Sequence, residues 1–487
     1  MRIKPNGRGA RYLPDVKCKF ASATLTAAMA SEEALWICDS DRRGTDVSVS
    51  DRETNGTASR ALWMSTLAFA ACIAVWTIFS IIGVRIKQDL GLTDTQFGLL
   101  AGTPILTGSL SRVALGVLAD RFGGRLVKLV IMLTAGVSAI GLSYATTYAH
   151  MLLAALGLGL AGGAFAAGVA YVSKFYPPQR QGAVLGIYGA GNVGAAVTNF
   201  GAPFVMTAMG WPMVARIWAV ALIVAGLAFF LISKDEPQLA QRRAAKTPPP
   251  SLLAQFAPLK RLQVWRFSLY YFFHYGAFVA LALWLPRYLV GVYQVDIKVA
   301  GVLAAAFSLS AAGFRIFGGW LSDKIGARSV MYAAFGAAVV GAFVLSYPAT
   351  SYVVDGIDGP IAFRIATPLP VFMTVLVILG FFMSLGMAAV FKHIPVYYPQ
   401  EIGAVGGLVG MIGGLGGFVL PLAFGVMNDL THIWTSCFML LFALVATALA
   451  WMHLAIRRME RAKTPELGRL PALPEMANLQ RPESGRR

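Results

Sequence analysis

Ser111-Arg112-Val113-Ala114-Leu115-Gly116-Val117-Leu118-Ala119-Asp120-Arg121-Phe122-Gly123-Gly124-Arg125 opens as an apolar helix and closes as a short charged turn. Arg112 precedes Asp120 by a little over two helical turns, roughly 12 Å along the axis. The apolar run begins near Thr93-Asp94-Thr95-Gln96, where Thr93 and Gln96 have the spacing of a capping box. From Asp94 to Asp120 the helix is long enough to cross a hydrocarbon core of roughly 30 Å. Arg112 therefore falls well inside a membrane. A guanidinium there costs at least about 2.5–3.5 kcal/mol unless something answers its charge.

The same sentence is written twice. In Arg315-Ile316-Phe317-Gly318-Gly319-Trp320-Leu321-Ser322-Asp323-Lys324-Ile325-Gly326-Ala327-Arg328, Arg315 falls on Arg112, Gly319 on Gly116, Asp323 on Asp120, Gly326 on Gly123 and Arg328 on Arg125 at a constant offset. A duplicated half with a buried arginine in each copy fixes the architecture.

The composition agrees. Of 487 residues, 57% are hydrophobic and 13% charged, which describes a polytopic membrane protein rather than a soluble enzyme. The formal charge of +18 would suggest nucleic acid in a soluble domain. Here most Lys and Arg sit in the tails and in alternate loops, as topology requires, so no nucleic-acid partner is expected. Cys18, Cys38, Cys72 and Cys437 make no disulfide framework, and no His/Cys cluster suggests a metal.

Residues 1–60 lack a sustained apolar run and read as a disordered cytoplasmic tail, or as sequence upstream of the true start. Apolar spans follow at about 61–84, 95–119, 126–147, 150–173, 181–206, 211–233, 266–290, 299–321, 328–347, 369–391, 403–427 and 433–456. The fold class expected is all-α transmembrane, with roughly twelve helices in two six-helix halves. The halves are 61–233 and 266–456, joined by a basic, proline-bearing cytoplasmic linker at 234–265; residues 457–487 form a C-terminal tail. One set of alternate loops holds Arg121, Arg125, Lys128, Lys174, Arg180, Lys234, Lys324, Arg328 and Lys392, with more in the linker. The other set holds only Arg85, Lys87, Arg287, Lys298 and Arg364. The positive-inside rule places the first set and both termini in the cytoplasm, with the chain in the cytoplasmic (inner) membrane.

Deep ionisable residues are few: Arg112, Arg315 and His274. No Asp or Glu lies in a span core to pair with the arginines. Two unpaired cations repel by about 2 kcal/mol at roughly 8 Å and an effective dielectric near 20. An anion held between them resolves the repulsion, and a planar guanidinium fork matches a planar oxyanion. Arginines satisfied by backbone carbonyls and water are the bland alternative. Two charges could equally receive a phosphate ester or a dicarboxylate. His274 is the one deep group that changes charge near neutral pH, either as a hydrogen-bonded neutral side chain or as a proton carrier. A membrane-bound enzyme would need a nucleophile, metal cluster or haem-ligating pair, and His150, His393, His432 and His453 lie toward span ends without such spacing.

The duplicated Gly-x-Leu-x-Asp-Arg/Lys-x-Gly-x-Arg turn after the second and eighth spans resembles that of the major facilitator superfamily, over about residues 61–460. The resemblance implies alternating access around a cavity between the halves. It also implies a gating motif (Gly116, Asp120, Arg121, Gly123, Arg125; Gly319, Asp323, Gly326, Arg328) that latches helices without touching substrate. Gln181–Gly194 and Ile402–Gly417 resemble the paired glycine signatures of the nitrate/nitrite porter family, with Gly189, Gly191 and Gly194 in the first and Gly410, Gly413, Gly414 and Gly416 in the second. Small residues also let transmembrane helices approach closely, which accounts for many of these glycines without any substrate.

That family implies nitrate and nitrite as substrates, bound by Arg112 and Arg315. Its signature asparagine matches Asn192, its cavity tyrosine Tyr271, and its aromatic walls Tyr275 and Phe165. Exchange or proton symport is implied, with no cofactor and a monomer in the lipid bilayer. The alternative kept open is a transporter of another small organic or phosphorylated anion.

Overall fold

The capping box written in Thr93 and Gln96 forms in the computed structural model. Thr93 Oγ1 accepts from the Gln96 backbone N–H at 3.1 Å, and Gln96 Oε1 accepts from the Thr93 N–H at 2.9 Å. The helix it starts runs Asp94–Phe122 and stops at Gly123, whose φ of 96° suits only glycine. The second copy stops the same way, at Gly326 with φ 86°. One backbone device thus ends both repeats.

The structure describes residues 47–236, 255–398 and 401–462. The chain forms two units, Met1–Asn55 and Gly56–Arg487. In the first, residues 47–55 are helical. Among the described residues, the second holds the membrane fold in twelve successive helices. We number them α1 (Gly56–Leu90, with a turn at Thr77 and Ile78), α2 (Asp94–Phe122), α3 (Gly124–Leu142), α4 (Tyr148–Phe175) and α5 (Pro178–Gly189, continued through the 3-10 turn Ala190–Val193 into Gly194–Met209). Then come α6 (Trp211–Ile232), α7 (Leu262–Tyr293, with a π segment at Phe272–Ala277) and α8 (Ile297–Ile325, bent at Phe314). The last four are α9 (Ala327–Ser346), α10 (Leu369–Tyr397), α11 (Ile402–Thr431) and α12 (Ser436–Ala462).

Several expectations shift. Among the described residues, ten helices are long and apolar enough to cross a membrane. The two outside that set are α2 and α5, which carry Arg112 and Asn192; polar and glycine content lowers their hydropathy. Helix begins at Val47, inside the stretch expected to be an unstructured tail, and α7 starts at Leu262 rather than 266. Of the expected linker, residues 237–254 lie outside the described residues, as do 463–487 of the expected C-terminal tail. Between α9 and α10 stands an antiparallel hairpin, β1 (Thr350–Gly356) and β2 (Gly359–Ile365), which the sequence reading missed. Its signal was available: alternating apolar residues flank Gly356-Ile357-Asp358-Gly359.

Glycine sets how the halves meet. A Cβ on Gly98 would lie 2.3 Å from the Pro421 carbonyl oxygen, and one on Gly425 would lie 2.3 Å from that of Asp94, so α2 and α11 touch backbone to backbone at the Asp94 end. A Cβ on Gly301 of α8 would lie 2.4 Å from the Asn199 carbonyl oxygen of α5. Toward the charged-turn end the contact opens on one face of α11, where a Cβ on Gly407 or Gly403 would meet nothing within 4 Å among the described residues. The fold is sealed at the Asp94 end and splayed at the other.

Candidate functional site

Arg112 and Arg315 are both buried. Arg112 reaches from α2 across to the second half, where Nη1 donates to the Gly410 carbonyl at 2.5 Å and Nη2 donates to the Tyr275 hydroxyl at 3.1 Å. Arg315 Nη2 donates to the Tyr271 hydroxyl at 3.3 Å. Among the described residues, Arg112 Nε, Arg315 Nη1 and the neighbouring Ser109 hydroxyl are buried without a hydrogen-bond partner. Neither arginine has a carboxylate partner among the described residues. The carbonyl alternative is thus half met, for Arg112 only, and N–H donors remain on both guanidinium groups.

Aromatic rings wall the site. The Arg112 guanidinium carbon lies 5.3 Å from the Tyr275 ring centre, 5.8 Å from Phe165 and 5.9 Å from Trp76. Arg315 lies 5.7 Å from Phe391. Tyr271 and Tyr275 stack with centroids 5.0 Å apart, on either side of the start of the π segment. Asn192 is buried in the 3-10 turn of α5 and donates to the Gly189 carbonyl at 2.8 Å. A Cβ on Gly189 would sit 3.4 Å from the Arg315 guanidinium, so this glycine lets α5 come right against the cation. In the second signature, Gly413 lies on Tyr271, Gly414 on Ser109 and Arg112, and Gly416 on Gly276. Gly191 and Gly194 do packing work instead, against Phe69 and the Ala70 backbone.

His274 faces elsewhere. Its ring lies 4.5 Å from Phe335 and 5.3 Å from Phe273, centroid to centroid, and Gly386 leaves just enough room for it. Neither ring nitrogen has a hydrogen-bond partner among the described residues. The histidine read from the sequence as a deep ionisable group thus makes no hydrogen bond to either arginine among the described residues.

The charged turns latch helices within each half. Asp120 pairs with Lys174 of α4 at 3.0 Å, and Arg125 Nε donates to the Phe230 carbonyl of α6 at 2.9 Å while Nη1 meets Asp235 at 3.2 Å. In the second copy Asp323 pairs with Lys392 of α10, and Arg328 pairs with Glu460 of α12 at 2.6 Å. The duplication therefore extends to the partners. Arg121 lies over the Phe122 ring, and Gly116 and Gly319 meet no close neighbour beyond an Ala166 methyl at 3.9 Å from a Cβ on Gly116.

Residues 64–359 match the family model described as Major Facilitator Superfamily. The chain belongs to the major facilitator superfamily. It is 38% identical over 423 residues to the probable nitrate/nitrite antiporter NarK1 of Thermus thermophilus, covering 84% of this chain and 94% of the relative. It is 31% identical to a nitrite extrusion protein of Bacillus subtilis (strain 168), covering 83% and 95%. These relatives place it in the nitrate/nitrite porter family of that superfamily. Among solved structures, a bacterial homologue of the human lysosomal transporter Spinster, in an inward-facing and occupied conformation, shares the fold with TM-score 0.62 at 16% identity, over 82% of this chain and 97% of that one.

Two parts of this major facilitator protein escaped the sequence reading. Lys128, assigned there to a cytoplasmic loop, is fully buried on the inner face of α3 with Gly124, Ile131 and Ala135. Its Nζ donates to the Ser65 carbonyl at 2.7 Å and lies 4.9 Å from both the Tyr188 and Phe229 ring centres. Helical spacing from Gly124 was the available signal. The second part is a cross-half network at the sealed end. Buried Asp94 pairs with Arg287 at 3.0 Å and Lys87 at 3.1 Å and accepts from Asn428; Asp429 accepts from Thr95 N–H at 2.8 Å. Nothing local in the sequence joins residues so far apart.

Proposed function

We propose that this protein carries nitrate and nitrite across the cytoplasmic membrane by alternating access, with the anion between Arg112 and Arg315. One observation carries the reading: a buried arginine from each half, linked through two stacked tyrosines, with N–H donors left over and no carboxylate in contact among the described residues. Ring faces and close-packed glycines crowd the two guanidinium groups, which suits a small planar oxyanion better than a phosphate ester. The relatives named for nitrate and nitrite agree. With the basic loops on the cytoplasmic side, the splayed end opens inward and the Asp94 network closes the outer face. The two halves, at 61–233 and 266–456, would rock about the site.

Exchange follows from charge. An empty carrier would have to close two like charges into a dehydrating cavity, whereas an occupied one would not. Counterflow in proteoliposomes loaded with nitrate, nitrite, chloride or phosphate tests the reading. Nitrate and nitrite are expected to exchange; counterflow of phosphate but not nitrate would reject it.

A further inference from the structure

Seven residues along α5 from Asn192 stands Asn199, and seven residues before Arg315 on α8 stands Ser308. Each offset is two helical turns, about 10 Å. The α5–α8 seam therefore carries a second polar level, displaced from the arginine level toward the Asp94 end. Asn199 Nδ2 donates to Ser308 Oγ at 3.2 Å and to the Ala282 carbonyl at 3.3 Å, while its Oδ1 accepts from Ser80 Oγ at 2.6 Å. All three side chains are fully buried. Ser80 and Asn199 belong to the first half, Ala282 and Ser308 to the second, so the cluster spans the surface along which the halves separate.

A seal alone does not need these groups. Inside the Asp94–Asn428 and Thr95–Asp429 contacts at its rim, the α2–α11 seam on the opposite side is closed by Gly98 and Gly102 packed on the Pro421 and Phe418 backbones. Burying an amide and two hydroxyls costs free energy that glycine or an aliphatic side chain would not. Here they satisfy one another while the seam is shut. When α5 and α8 part, Asn199 Nδ2 loses both Ser308 and the Ala282 carbonyl, while the Ser80–Asn199 bond moves with the first half. The freed amide N–H groups and the Ser308 hydroxyl then face the opening.

We propose that Asn199, Ser80 and Ser308 form a second anion subsite, an outer resting place for a monovalent oxyanion on its way to or from the arginine pair. The proposal rests on the anion-transport reading and adds a path to it. Neutral amide and hydroxyl donors suit the task. A third cation would hold the anion too tightly to release, and a transport path requires sites strong enough to receive an ion and weak enough to let it go.

The test is sided exchange in proteoliposomes with uniformly oriented protein and nitrate as the probe. Asn199→Asp keeps the shape and places a carboxylate beside the resting anion. The KM for nitrate presented at the Asp94 end rises about tenfold or more from like-charge repulsion, while the KM at the charged-turn end is unchanged. Ser308→Ala removes one donor, and raises the same one-sided KM by a few-fold. It also serves as the independent variant should Asn199→Asp not insert. A purely structural role, by loosening the shut seam, would instead favour the form open at the Asp94 end and lower the KM there while raising it at the charged-turn end. That result, or equal KM shifts at the two ends, overturns the subsite while wild-type nitrate counterflow stands. Absence of wild-type nitrate counterflow overturns the transport reading and the subsite together.

Discussion

Tyr271 and Tyr275 lie face to face, 7° from parallel, and each hydroxyl accepts a hydrogen bond from a different arginine. Both tyrosines belong to α7, yet one holds the arginine of its own half and the other the arginine of the opposite half. Arg112 is therefore a strut between halves, tied at the Gly410 carbonyl and at Tyr275. To open the sealed end, α2 must carry this guanidinium away from those partners. An anion that keeps the guanidinium satisfied makes the step easier. Binding and switching thus share one residue.

Arg112→Lys and Arg315→Lys should each abolish most nitrate counterflow while the protein still inserts and elutes as a single species. Lysine keeps the charge but not the fork. At Arg112 one ammonium cannot reach a carbonyl, a phenol and an anion with the planar geometry of a guanidinium. Near-normal counterflow by either variant would remove that arginine from the site.

Tyr275→Phe keeps the stack and deletes only the acceptor for Arg112. A hydrogen bond to a charged group is worth about 1.5–3 kcal/mol net, so nitrate affinity should change by roughly ten- to a hundredfold. Asn192→Ala should change it less, by roughly two- to tenfold, because its amide holds the Gly189 carbonyl beside Arg315 rather than a charge. Titration of nitrate binding in detergent gives both values. A larger loss in Asn192→Ala than in Arg112→Lys would reverse this ranking.

Asp94→Asn should loosen the sealed end. The carboxylate answers both Lys87 and Arg287, and removing one member of a buried ion pair costs up to about 3–5 kcal/mol. Melting temperature should fall. A Ser109→Cys probe beside Arg112 should react faster with a membrane-impermeant thiol reagent added from the Asp94 side. Unchanged labelling would show that glycine packing of α2 on α11 closes this end without the ion network.

Much of this was legible in the chain because repetition is legible. Arg112 and Arg315, Gly123 and Gly326, and Arg125 and Arg328 announce two copies of one helix-and-turn device, and the structure gives both copies the same backbone and the same kinds of partner. Tyr271 and Tyr275 came through family resemblance, since aromatic residues on a transmembrane helix do not identify themselves. Lys128 was misplaced because charge near a turn reads as topology, whereas its position on the buried face depends on how α3 is rotated. The Asp94–Arg287–Asn428 network depends on contacts between residues hundreds of positions apart, which only the packed halves bring together.

The final prediction concerns coupling. Net nitrate uptake driven by a pH gradient would require a group that brings positive charge along, and His274 was the deep candidate. In the structure it sits against Phe335, Phe273 and Gly386, with no hydrogen-bonded route to either arginine among the described residues. Exchange needs only the arginines and an anion on each stroke. His274→Gln should therefore leave nitrate/nitrite counterflow largely intact in proteoliposomes at equal internal and external pH. Imposing a pH gradient on the same vesicles separates the remaining outcomes. Loss of gradient-driven nitrate accumulation, with counterflow preserved, would make His274 the proton carrier. Accumulation that persists in His274→Gln would exclude that role. Loss of counterflow itself would mean that His274 supports the anion site through its packing behind Tyr275, since the two residues adjoin in the π segment of α7.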